Sequence, residues 1–182
     1  MVIDPKVEEP TRELLGHAVR GELDELAQLM TELGPERMVE CLILCLRVSG
    51  YVVIYIAGHK WPTEVDLREI AQRMAAADMD FNLEEPDAYA FLARAAIGFE
   101  PLFDVFPDKE GRAVMVPILT TTALLASYRR SPRHWWEYLD AIEQALEQAA
   151  PLPEETVPAV LLWSRCNYAI KTQKAGERTA GA

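Results

Sequence analysis

Apolar positions along the chain recur mostly at helical spacing. Residues 1–10 are polar and carry Pro5 and Pro10, so they read as a flexible leader. Thr11 is placed to cap a helix that ends near Arg20. Over 22–33, Leu23, Leu26, Leu29, Met30 and Leu33 fall on one face, the stripe of an amphipathic helix. Gly34-Pro35 then stops that helix and opens another, glycine just past an end and proline just inside a start. Residues 36–57 are the most hydrophobic stretch. Met38, Cys41, Leu42, Cys45, Leu46, Ser49, Val52, Val53 and Ile56 keep helical spacing, while Leu44, Val48, Tyr51 and Tyr55 make the opposite side apolar too. A helix apolar all round is a central, buried one. The rival is a helix to Val48 followed by a strand over 51–57, and the continuous helix is favoured.

Thr63 predicts another helix start, with Asp66 adding negative charge to the first turn and Leu67, Ile70, Ala71 and Met74 as its apolar stripe. An acidic loop at 78–85 leads to a helix opened by Pro86, with Ala88, Phe91, Leu92 and Ala95 toward the core and Gly98 at its end. The period then changes. Residues 102–106 and 112–116 are two short β-type runs around the turn-forming residues 107–111, which predicts a hairpin over 102–116 closed by Pro117. Residues 118–130 return to helix. Ser131-Pro132 starts the next one, whose stripe is Trp135, Leu139, Ile142, Leu146 and Ala149. Pro151 and Pro153 break it, a last helix is expected over 155–171, and residues 173–182 read as a disordered tail. The expected fold is mainly α: one domain over 11–172, with a core at 36–117 that carries the single hairpin, followed by C-terminal helices at 118–172.

The formal net charge of −11 sits almost wholly within residues 1–110. An acidic surface repels nucleic acid and anionic membranes. Cys41, Cys45 and Cys166 make an odd set without extracellular spacing, so no disulfide framework is expected. Cys41 and Cys45 lie one helical turn apart, as small apolar groups on one face. No signal peptide is expected from the first residues. The uncharged apolar run 48–58 is too short to cross a bilayer. A cytoplasmic protein without membrane contact follows as the expectation.

Chemistry-bearing patterns are sparse. The nine glycines never fall two apart, so no glycine-rich phosphate cradle is expected, and no serine has the flanking glycines of a nucleophile elbow. His134-Trp-Trp-Glu137 reverses the order of a di-iron helix motif and occurs once. In the loop from Asp78, Asp80 and Asn82 also match a calcium loop, but Leu83 replaces its glycine and Tyr89 its final glutamate. No cofactor, metal or catalytic residue is therefore assigned. Arg129, Arg130 and Arg133, with His134, precede Trp135 and Trp136. Basic side chains beside aromatics can bind phosphate or a single strand, whereas the plainer reading has the arginines at a helix end and Trp135 in the core.

From residue 36 to 117 the order is long helix, short extended piece at 59–61, helix, helix, hairpin. That order resembles a winged helix-turn-helix domain, and Leu67-Arg-Glu-Ile-Ala-Gln-Arg-Met74 is similar to its positioning helix. The resemblance implies a recognition helix at 88–96, a wing at 108–111, and either a transcription regulator or a non-DNA-binding dimerisation module. The inter-helix turn departs from the family by its length and by Asp78, Asp80, Glu84 and Glu85, which repel a duplex. The leading expectation is a non-enzymatic regulatory or protein-interaction domain, a homodimer through its C-terminal helices. The second is a winged-helix DNA-binding regulator. A third is a small-molecule binder or enzyme with a helical pocket lined by Tyr51, Tyr55 or Trp163. Candidate partner or nucleic-acid contacts are Tyr89, Arg94, Lys109, Arg112, Arg129, Arg130, Arg133 and Trp136.

Overall fold

The computed structural model describes residues 3–77, 83–97, 110–128 and 134–148. Among these residues six α-helices and no β-strand occur: α1 (Pro5–Arg20), α2 (Leu23–Ile56), α3 (Glu64–Ala77), α4 (Glu85–Ile97), α5 (Glu110–Ser127) and α6 (Trp135–Gln148).

The first helix starts earlier than the polar leader suggested. Asp4 is its N-cap, accepting a hydrogen bond from the Lys6 N–H at 2.9 Å, and Pro5 occupies the first turn, where its missing N–H costs nothing. Thr11 is therefore not a cap. It sits inside α1, buried, and its hydroxyl donates to the Val7 carbonyl at 2.7 Å. Gly21, at φ 70°, closes α1 in the left-handed conformation that glycine tolerates.

The second helix bends where Gly34-Pro35 predicts a break: Gly34 lies at φ 68°, ψ 172°, outside helical geometry. Beyond the bend the helix runs unbroken to Ile56, so 51–56 is helix and not strand. By length and composition α2 is long and apolar enough to cross a membrane, with a mean hydropathy of 1.9 over an 18-residue window, 56% of it buried inside the fold. The uncharged run read from the sequence was shorter because it stopped at Arg47.

The predicted hairpin is corrected by α5. Residues 112–116, read as its second strand, are helical, and Pro117, read as the strand's end, lies within the same helix. The first strand, 102–106, lies outside the described residues. The physical reason is burial on several sides. Helix α5 packs against α1, α2, α3, α4 and α6, so an apolar run there carries no polar face to reveal its period. Ala113, Val116, Thr120 and Leu124 are all buried at helical spacing. Pro117 has no N–H to give the ladder, and its own carbonyl accepts a 2.7 Å hydrogen bond from the Thr121 hydroxyl.

The core lies between α2 and α5, the two helices touched by most of the others. Helices α3 and α4 pair with each other; α4 leans on both, and α3 on α5. Phe91, Leu92, Leu67, Met74, Ile118 and Leu124 are among the fully buried side chains. At the crossing of α2 and α4, Gly50 is required. A Cβ there would stand 2.5 Å from the Ala95 carbonyl oxygen.

Candidate functional site

Charged and aromatic groups converge on the first turns of α4. Arg112, from α5, places Nη2 2.8 Å from Glu84 and 2.7 Å from Asp87. Arg68, from α3, holds Glu64 at 2.9 Å and lies within 3.9 Å of Glu85. Its guanidinium covers the Tyr89 ring, 4.4 Å from the centroid, a cation–π arrangement. The carboxylates heading α4 thus complement both the helix dipole and two arginines from neighbouring helices.

Apolar side chains are exposed around the start of α3. Trp61, in the segment between α2 and α3, is 72% exposed, and Val65, one turn on, is 65% exposed. The local chain is held firmly. Gly58 and His59 both take positive φ, 69° and 62°, turning the backbone after α2. The Asp66 carboxylate accepts from the Thr63 N–H at 2.8 Å and from its hydroxyl at 2.7 Å, while the Asp66 N–H reaches Thr63 Oγ1 at 3.3 Å. Bonding to the Thr63 hydroxyl and then to its N–H holds the Asp66 carboxyl below the usual carboxylate range. Trp61 therefore projects from a capped helix start, as the Thr63 signal in the sequence implies.

The candidate residues named from sequence divide among several places. Tyr89 and Arg112 come together around α4. Arg94 lies in the last turn of that helix. Trp136 is at another corner, 43% exposed and stacked on His134 at 4.1 Å, next to Trp135, whose ring packs by Gly16 of α1. Lys109, Arg129, Arg130 and Arg133 lie outside the described residues, as do Trp163 and the calcium-like positions Asp78, Asp80 and Asn82. Tyr51 and Tyr55 are partly buried, Tyr55 meeting His59 edge-on at 5.2 Å. Trp61 and Val65 were missed. A signal was present for Val65, which falls on the face of α3 opposite the Leu67–Ile70–Met74 stripe; Trp61 precedes the helix and no periodicity marks it.

The α6 stripe turns inward. Leu139 and Ile142 are buried within the chain's own core, while Trp135 and Leu146 of the same stripe are partly buried. Glu143, on the same helix, is also buried and pairs with Arg12 of α1.

Two buried thiols lie in α2. Burial pushes the Cys41 thiol up and carries Cys45 to about 12, so neither forms thiolate near neutral pH. Ser49 and Thr121 share a hydrogen bond of 2.9 Å, and Thr121 also lies 3.3 Å from the Cys45 carbonyl. Among the described residues no three His, Cys, Asp or Glu side chains converge to hold a metal ion. No protein-family model, curated protein or solved structure matches the chain. Its function is therefore read from these side chains directly.

Proposed function

We propose that the chain is a non-enzymatic protein-interaction domain whose contact face is the start of α3, centred on Trp61. The observation that carries this reading is the exposure of Trp61 and Val65, 72% and 65%, four residues apart in sequence across the start of α3. Isolated exposed apolar residues are common, but an exposed tryptophan with a second exposed apolar residue beside a capped helix start has the make-up of an interface hot spot. Glu64, Arg68 and Glu69, on the first turns of α3, supply polar groups of the kind that rim such a contact. The raised thiols of Cys41 and Cys45 and the Ser49–Thr121 hydrogen bond favour a binding role over a catalytic one.

The test starts with sedimentation velocity, which decides whether the partner is a second copy of this chain. Affinity capture from the native host then compares wild type with a Trp61→Ser, Val65→Ser variant of unchanged circular dichroism. Self-association or a retained partner that weakens by about tenfold or more in the variant is the expected result. Equal retention by both proteins, or a monomer that captures nothing, would sink the reading.

A further inference from the structure

We propose that the junction of α1 and α6 is a proton-operated clasp, in which Glu143 governs how tightly α6 holds to α1 and the hold tightens when Glu143 takes up a proton. The inference is independent of the Trp61 face.

Three carboxylates share one guanidinium at this junction. Arg12 of α1 reaches Glu8 on its own helix at 3.0 Å and Asp140 of α6 at 2.6 Å, and it also pairs with Glu143. The three acids differ in access to water. The side chains of Glu8 and Asp140 are 33% and 56% exposed, whereas that of Glu143 is 7% exposed. Water can solvate the first two charges but not the third. Glu143 Oε1 is moreover buried with no hydrogen-bond partner, so its charged form leaves one oxygen unserved. A proton there removes that cost and leaves Arg12 with two carboxylates instead of three. A second tie holds the same junction: the Ile3 N–H donates to Glu147 Oε1 at 2.9 Å.

Among the described residues the charges acting on Glu143 come from Arg12 and Glu8 of α1 and from Asp140 of α6 itself; α2 and α5, which also pack on α6, add none to that set. Burial dominates. Together with repulsion from Glu8 and Asp140 it outweighs the attraction of Arg12 and pushes the Glu143 carboxyl up to about 7. A carboxyl raised in the folded state binds its proton more tightly there than when unfolded. Its contribution to stability is complete below the ordinary carboxylate range and is lost as pH rises through about 7. The clasp is therefore firm in mild acid and loosened in mild base, the reverse of a simple salt bridge.

Amide hydrogen exchange followed by mass spectrometry on the full chain, corrected for intrinsic rates, reads this directly. Protection of α6 and of the α1 segment facing it is expected to fall about tenfold between about pH 6 and about pH 8. Glu143→Gln keeps the shape without the charge and should hold its protection across that range. The histidines remain in the variant, so the difference between the two proteins isolates Glu143. A carbon-13 carboxyl titration of the wild type supplies a midpoint that needs no variant, expected near neutrality. A midpoint in the ordinary carboxylate range, protection that rises with pH, or an unchanged pH dependence in Glu143→Gln would each overturn the proposal.

Discussion

Two contacts that α2 makes with its neighbours set how much individual residues matter. Adding a methyl group to a helical glycine normally stabilises, because alanine loses less backbone entropy on folding. At Gly50 the added Cβ would meet the Ala95 carbonyl oxygen at 2.5 Å, and a backbone atom cannot swing aside. Gly50→Ala should therefore cost about 1–3 kcal/mol as α2 and α4 are forced apart. Gly111, in the first turn of α5, has nothing within 4 Å of its Cβ position, and Gly111→Ala should gain about 0.5 kcal/mol. Urea unfolding of both variants checks the contrast, and equal midpoints would show that the α2–α4 approach is not tight. Next to Gly50, the Ser49 hydroxyl bonds Thr121 Oγ1 in the core at 2.9 Å, while the Thr121 hydroxyl donates to the Pro117 carbonyl. Thr121→Val leaves the Ser49 hydroxyl buried and alone, a loss of about 1–3 kcal/mol. Replacing Ser49 by alanine as well should recover part of it, since an apolar pair needs no partner. A double-mutant cycle showing simple additivity would mean the hydroxyls are not coupled.

Helix ends show what the sequence could and could not tell. The Thr63 cap is readable because its partner, Asp66, lies three residues along the chain, and the structure places both bonds of the box. Thr63→Ala should lower stability by about 1 kcal/mol. Asp66 adds a pH signature: its carboxyl is held low in the fold by Thr63, so its contribution is present above the ordinary carboxylate range and lost as acid titrates it. The steepness of acid unfolding should therefore lessen in Thr63→Ala, and an unchanged acid limb would rule the box out as its source. The start of α1 was misread, since Thr11 attracts attention as a cap while Asp4 does the capping from within a stretch that looks loose. The stripe at Leu67, Ile70, Ala71 and Met74 was legible because the opposite face of α3 is charged, and all four are buried. Residues 112–116 were not, because a helix enclosed by five others shows no alternation to distinguish it from a buried strand. Among site residues, Tyr89 and Arg112 could be named but not their neighbours. Arg68 over Tyr89 and Arg12 on Glu143 are products of helix packing, and no spacing along the chain encodes them.

At the scale of the whole molecule, the question is whether so acidic a surface can meet a duplex. The formal charge is −11, and the long-range field opposes approach. Local geometry sharpens this. A helix entering the major groove presents its N-terminal residues to the bases and phosphates, and at α4 those residues are Glu84, Glu85 and Asp87. Arg112, the cation best placed to offset them, already spends its guanidinium on Glu84 and Asp87. It follows α4 as part of helix α5, and not as the tip of a wing that could straddle a phosphate. Arg94, at the opposite end of α4, is a full helix length from the groove-facing turn. Repulsion by three carboxylates extends over roughly a Debye length, about 8 Å at physiological salt, which covers the distance at which a recognition helix must dock. The isolated protein is accordingly expected to show no tight duplex binding at that salt. Fluorescence anisotropy with its own upstream promoter fragment and with random DNA measures this, and a promoter preference at nanomolar protein would reverse the conclusion. The same titration distinguishes a weaker outcome. If faint binding emerges only at low salt, Glu84→Gln with Glu85→Gln should strengthen it for every sequence alike, because the carboxylates repel phosphate and not bases.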